Sequence, residues 1–587
     1  MPPVTSLSVW APRPRRVEAV IDGQRRPMER DDRAWWSLET PVAAGTDYGF
    51  SIDGGPALPD PRSAWQPAGI DGLSRTVDHD AFAWTDRSWR GIHLPAAVLY
   101  ELHVGTFSAS GTFEGAIAHL DHLVDLGVDA VELLPVVEAS GERGWGYDGV
   151  NLFAPHHTYG GPDGLKTLVD ACHARGLGVV ADVVYNHLGP AGNYLGQYGP
   201  YFTDSHRTNW GDAVNVDGPD SGEVRSFIVD NVLAWLAAYH IDGLRLDAVH
   251  AITDTSAVHI LETIGLAVAA LAAHVGRPLF VIAESDLNDP RIVAPRSAGG
   301  YGLDAAWADE FHHAIHAALT GEVNGYYEDF GSLAEVATAL RRAWVYAGQY
   351  SPHRRRVHGR APAGLDASAF VVCIQNHDQV GNRAVGERLC QLTTPGRARV
   401  AAALLLCSPF IPLLFQGEEW AASTPFQYFT DHGDPELGRA VTEGRTHEFS
   451  SFGWTPEMVP DPQDPATFSR STLEWSEVGA DEHASMLEWY RSLIALRRRI
   501  PDITDPDLAA TEVTFSDSDG QLILRRGRVT VAINVGAVAV PLTVPAGAMV
   551  VASHPTFDPA GRPSVLDPDG IAIIDTAPGG TVIARSW

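Results

Sequence analysis

The chain has 587 residues, more than one hydrophobic core serves, and about three domains of ordinary size are expected. Its 42 Lys and Arg stand against 73 Asp and Glu, a formal net charge of -31, with no block of five or six basic residues. That balance excludes nucleic acid and anionic membrane as partners through repulsion. No apolar run reaches the roughly 18 residues of a membrane helix, and the opening MPPVTSLSVWAPRPRR lacks the apolar stretch of a secretory signal, so a soluble, cytoplasmic protein is expected. Cys172, Cys373, Cys390 and Cys407 lie far apart without CxxC spacing, which reads as buried free thiols rather than ligands or disulfides.

Residues 1–92 carry short β runs, SLSVWAP, RVEAVI, AWWSLE and DYGFSID, separated by Gly, Pro and Asp, and predict a small β-sandwich of carbohydrate-binding-module type. Trp35, Trp36 and Trp65 offer either a sugar-stacking face or packing, and packing is the stronger reading for so small a core. Residues 93–504 alternate apolar β runs with amphipathic helical segments, the mark of βα units. Eight strands are read: AVLYELHVGTF, VDAVELLPVV, LGVVADVVYNH, IDGLRLDAV, LFVIAES, LDAAWADEF, AFVVCIQNHD and FIPLLFQGEE. The fold class is therefore α/β, a (β/α)8 TIM barrel. Two insertions, at about 188–218 and 301–358, follow or surround the third and sixth strands, where long loops shape substrate access. The tail, residues 505–587, returns to strands such as EVTFSD, QLILRRG and VTVAINV and predicts a second β-sandwich.

Asp247, Glu284 and Asp378 each follow one of these β runs, so three strands deliver three acids to one rim of the barrel. Charged groups there are costly unless used or paired, and glycoside cleavage needs an acid, a nucleophile and a group that stabilises an oxocarbenium-like transition state. Arg245, two residues before Asp247, points to the same side of its strand. Sugar chemistry follows from the residues alone. A helix N-cap for Asp247 and a turn for Asp378 are the weaker structural alternatives.

DVVYNH (Asp182 to His187), GLRLDAVH (Gly243 to His250), AES (Ala283 to Ser285) and QNHDQ (Gln375 to Gln379) resemble the four ordered regions of the α-amylase clan, glycoside hydrolase family 13. Within the clan, the stretches around GWGYDG, APHHTYGGPDG, WADEFHHA and LLFQGEEW resemble the trehalohydrolases that act on malto-oligosyl trehalose. That resemblance spans nearly the whole chain. It implies Asp247 as nucleophile, Glu284 as acid and base, and Asp378 as transition-state stabiliser. It further implies Arg245, His187, His377 and Tyr147 as sugar ligands, with Tyr147 stacked beneath the cleaved ring, and leaves Asp148 equally a sugar ligand or a turn cap. Trp145, Trp210, Phe311, Tyr326 and Tyr327 are candidates for the leaving-group side, each alone more often a core residue and together a sugar cleft, with Asp309 and His312 of the DEFHHA run as further substrate-binding candidates.

Asp182 is expected to buttress Arg245, and Asp286 is equally a second site carboxylate or a loop cap. Asn186 matches a position that binds calcium in some amylases, but one amide does not make a site for an ion needing six to eight oxygens, and no metal or other cofactor is expected. The implied substrate is malto-oligosyl trehalose or a related α-glucan, cleaved at the α-1,4 bond beside the terminal trehalose. A glycogen branching enzyme and a noncatalytic glucan-binding protein on an amylase-type barrel are the alternatives; possession of all three acids argues against the second.

Overall fold

In the computed structural model, which describes residues 4–208, 211–448, 454–555, 557 and 564–576, eight parallel strands close into a barrel. They are β1 (Leu99–Leu102), β2 (Ala130–Leu133), β3 (Gly178–Val183), β4 (Gly243–Leu246), β5 (Phe280–Ala283), β6 (Ala305–Trp307), β7 (Phe370–Cys373) and β8 (Ile411–Phe415). Each sits inside the β run read for it from the sequence, in the expected order. Every strand residue is buried, because helices cover the outer face and side chains fill the inside, which is why these segments read as continuous apolar runs. Closure comes from β1 pairing with β8, Leu99 beside Leu413 and Glu101 beside Phe415.

The covering helices include α1 (Gly161–Ala174), α2 (Ser221–Ala238), α3 (Ile260–Val275), α4 (Asp309–Thr320), α5 (Leu333–Arg342), α6 (Pro395–Leu406) and α7 (Asp481–Arg499). Their signals are local. In α1, Pro162 occupies the first turn and Leu165, Leu168, Val169 and Cys172 form the buried stripe. A capping box of Ser332 and Glu335 starts α5. Gly276 ends α3 in the left-handed region, φ 73°.

β-Sheets flank the barrel at both ends of the chain. Near the N-terminus lie a three-stranded sheet, Ser8–Trp10, Glu29–Arg30 and Trp35–Ser37, and a five-stranded sheet built on Val17–Ile21 and Asp47–Ile52. Trp36 is buried and its Nε1 donates to the Ala11 carbonyl at 2.9 Å. Trp35 reaches α2 instead, donating to Glu223 at 3.2 Å, and Trp65 lies under the Arg75 guanidinium. All three tryptophans are thus engaged in packing.

In the tail, Thr511–Ser516, Gln521–Arg526, Val529–Asn534, Gly570–Asp575 and Met549–His554 make an antiparallel sheet, with the pair Val540–Pro541 and Val565–Leu566 beside it. It docks on the barrel through Arg397 of α6 to Asp569 at 2.8 Å and through Leu333 N–H of α5 to Asp517 at 2.8 Å. The four cysteines are free, three of them buried and Cys390 half-buried. Among the described residues, no helix is long and apolar enough to cross a membrane.

Candidate active site

The strand ends converge on one guanidinium. Arg245 lies in β4, fully buried, and its Nη1 donates to Asp182 at 2.7 Å and to Asp247 at 2.9 Å. Its Nη2 is 2.9 Å from Glu284. Trp307 of β6 closes the other side, its ring centroid 4.3 Å from the guanidinium carbon. Register explains the meeting: Asp182 of β3 pairs with Arg245, and Asp247 and Glu284 are the first residues past β4 and β5. One cation touching both acids keeps them close together.

The backbone finishes the arrangement. Ala248 adopts φ 38°, a region an L-residue enters at a cost, and its N–H thereby donates to Glu284 Oε2 at 2.7 Å. Asn186 donates to both the carbonyl and the carboxylate of Asp247, at 2.9 and 2.7 Å. Asn186 therefore orients the Asp247 side chain. Asp378 stands five residues beyond β7, in the first turn of the short helix His377–Gly381, with Asn382 at 3.4 Å and His377 at 3.5 Å.

A buried polar layer supports these groups from below. Glu101 of β1 accepts from His377 Nδ1 at 2.6 Å and from its backbone N–H at 2.8 Å. His377 Nε2 lies 2.8 Å from the Tyr147 hydroxyl, which donates to Asp182 at 2.6 Å. Tyr147 is carried by GWGYDG, where Gly146 has φ 99° and a Cβ would stand 2.1 Å from the Pro135 carbonyl. Only glycine lets this loop lie so close to the chain after β2.

The fields follow from burial and neighbours. Burial, reinforced by Asp247, Asp378 and Asp309, holds the Glu284 carboxyl well above its ordinary range, although Arg245 opposes the shift. Burial likewise raises Asp182 to about 6 and Asp309 to about 7. For His377, burial works against the charge, but Asp378 and Glu101 outweigh it and lift the imidazole to about 9. Glu132 of β2, buried beside Glu101, is pushed well upward by desolvation.

Above this layer lies an open cleft of about 350 Å³, lined by Trp145, Tyr147, Asp148, His187, Asp247, His250, Glu284 and Asp378 among others. His187 is held with Nδ1 on Asn186 and Nε2 3.1 Å from the Tyr147 carbonyl. Asp148 stands half-exposed at the edge, 3.8 Å from His432. The structure thus brings Asp247, Glu284, Asp378, Arg245, His187, Tyr147 and Asp148 to one place, with His377 buried directly beneath.

Other expected ligands fall elsewhere. Phe311 is fully buried and packs edge-on against Phe410, outside the barrel strands, so its expected place on the leaving-group side is corrected. His312 is also buried, bonded to the Ile374 carbonyl at 2.7 Å and to Tyr327 at 2.9 Å. The reason is helical phase: in α4 these side chains turn to the core, and only Asp309, at its first position, stands near Asp378. Tyr327 stacks on His316 and is likewise core, whereas Tyr326 is half-buried against His313. Trp145 does reach the cleft, although its indole N–H is spent on the Gln427 carbonyl. Trp210 lies outside the described residues.

Glu101, Glu132 and the orienting role of Asn186 were missed in the sequence. The available signal was a lone glutamate in each of two apolar runs, YELHV and VELLP, at a position facing the barrel interior. A separate group able to hold a metal ion, Glu138, His156 and His157, lies away from the cleft lining. Glu138 there already accepts from the His157 ring and backbone at 2.8 and 2.9 Å.

A family model for the alpha amylase catalytic domain matches residues 78–210. A malto-oligosyltrehalose trehalohydrolase from Arthrobacter ramosus is 52% identical over 542 residues, 91% of this chain and 93% of that protein. One from Rhizobium sp. (strain M-11) is 49% identical and covers 97% of each. A crystal structure from Salmonella typhimurium, of a protein assigned as an alpha amylase, matches with a TM-score of 0.89 at 38% identity, over 97% of this chain and 98% of that one. With the acids, the barrel and the flanking sheets in place, this chain belongs to the malto-oligosyltrehalose trehalohydrolases, glycosidases of the alpha-amylase type.

Proposed function

We propose that this protein is a retaining glycosidase that hydrolyses the α-1,4 bond next to the terminal trehalose of malto-oligosyl trehalose and releases free trehalose. The observation that carries the mechanism is the single guanidinium of Arg245 in contact with both Asp247 and Glu284. A guanidinium shared by the two carboxyl groups keeps them near one another, which suits the short separation of a double displacement.

Asp247, oriented by Arg245 and Asn186, attacks the anomeric carbon as the glycosidic bond breaks. Glu284, kept protonated by its raised proton affinity, gives its proton to the departing trehalose oxygen. Ionised Glu284 then takes a proton from water, which attacks the same carbon and frees Asp247. Asp378, beside a cationic His377, holds sugar hydroxyls while the ring flattens. Tyr147, fixed through its hydroxyl, presents its ring to the cleft as a platform.

The trehalose preference rests on the relatives that carry that name, and trehalose formation from storage glucan is the metabolic role it implies. Four unpaired thiols suit a reducing compartment, hence the cytoplasm. The test is product analysis with malto-oligosyl trehalose and with plain maltooligosaccharide of equal length. Free trehalose from the first and slow turnover of the second are expected. Brisk cleavage of the plain glucan, or new α-1,6 branches, would contradict the assignment.

A further inference from the structure

The loop that carries Trp145 and Tyr147 is the tip of an antiparallel ribbon, and the base of that ribbon gathers two imidazoles and a carboxylate that the mechanism does not use. Its strands are Val137–Ala139 and Gly149–Pro155. Glu138 comes from the first strand, and His156 and His157 follow the second. The His156 N–H donates to the Val136 carbonyl at 2.7 Å, which carries both histidines back beside Glu138.

One nitrogen of each imidazole and one oxygen of Glu138 lie within 4.8 Å of one another. His157 Nδ1 is 2.8 Å from Glu138 Oε1, and the two imidazoles stack with centroids 4.9 Å apart. Ligand atoms about 2.1 Å from a tetrahedral ion stand about 3.4 Å from each other, so the three donors reach that spacing by side-chain rotations of about an ångström. Glu138 is fully buried and His156 nearly so. The His157 side chain is 27% exposed, which gives an ion a way in and water for the fourth position.

The outer partners suit ligation as well. Glu138 Oε2 accepts from the His157 N–H at 2.9 Å, which fixes the carboxylate while Oε1 turns to an ion. His156 Nδ1 stands 2.8 Å from the Thr158 hydroxyl. With the ring proton on Nδ1 and given to that hydroxyl, Nε2 is left unprotonated as a ligand, at the loss of a 3.3 Å bond from the Thr158 N–H. Glu142 adds negative charge beside both imidazoles. Two nitrogens and one carboxylate oxygen match Zn2+ rather than Ca2+ or Mg2+, which take oxygen ligands. Asn186 lies elsewhere, its amide spent on Asp247.

We propose that Glu138, His156 and His157 form a Zn2+ site that clamps the base of the ribbon and steadies the loop carrying Trp145 and Tyr147. The ion stands outside the cleft lining and takes no part in bond cleavage. The test uses the full-length protein without a histidine tag, stripped with a chelator, titrated with ZnCl2 by calorimetry and with CoCl2 by visible absorption.

The wild type is expected to bind one Zn2+ per chain, to give the intense absorption of tetrahedral Co2+, and to melt at a higher temperature with Zn2+ than without it. Glu138→Gln and His157→Ala are each expected to weaken Zn2+ binding by at least about 10-fold and to lose the melting shift. His157 is half-buried, so its variant carries the test even where replacement of the buried Glu138 prevents folding. A wild type that takes up no Zn2+, or a His157→Ala variant that binds it as tightly as the wild type, would overturn the site. Uptake of Co2+ without the tetrahedral absorption would overturn the coordination.

Discussion

Arg245 is a buried cation in contact with three carboxylates, Asp182, Asp247 and Glu284. Removing one partner from such a cluster leaves uncompensated buried charge, so Arg245→Ala is expected to cost about 3–5 kcal/mol in chemical denaturation and to abolish turnover. Arg245→Lys keeps the charge without the planar fork; stability should partly return while activity stays low, and equal activity would contradict the bridging role. The acids themselves behave differently. Asp247→Asn and Glu284→Gln are each expected to lower kcat by about 10³-fold or more while the protein still folds, since each removes a covalent or proton-transfer step.

Proton affinities make two pH predictions at the same scale. Glu284 must be protonated to act, and its pKa is raised, so activity falls with rising pH only above the ordinary carboxylate range. His377 has a folded value of about 9 against about 6.5 unfolded. Its contribution, on the order of 3 kcal/mol, is fully present below pH 6.5 and is lost as pH rises through 9. His377→Gln should flatten the decline in melting temperature between pH 6.5 and 9; an identical decline would place the titration elsewhere.

Among the elements, the eight barrel strands were readable because each is a short apolar run buried on both faces and bounded by a helix start or a turn. The acids were readable because they break that pattern at strand ends. Three things were not. Glu101 and Glu132 face inward on apolar strands, and only the pairing of strands shows that His377 and Arg245 await them. Phe311 and His312 share a motif with Asp309, but helical phase separates a site residue from core residues within three positions. The bond from Arg354 to Asp286 joins residues 68 apart in sequence, which no local signal encodes. Element boundaries do carry a testable cost: Ser332 caps α5 where the tail sheet docks through Asp517. Ser332→Ala is expected to destabilise the chain by about 1 kcal/mol in urea without changing kcat.

Across the whole molecule, the barrel supplies the reaction and the flanking sheets brace its helices. The N-terminal sheets reach α2 through Trp35 and through Arg62, which donates to Asp230 at 2.8 Å; the tail sheet reaches α5 and α6. These contacts lie on the outer layer, while the cleft opens at the strand C-termini, so bracing and chemistry are separated. The chemistry is tested most directly by proton NMR of the first minutes of reaction on malto-oligosyl trehalose. Retention by Asp247 predicts free trehalose together with a maltooligosaccharide whose new reducing end appears first as the α-anomer. A β-anomer, or a glucan product still carrying trehalose, would contradict the double displacement at that bond.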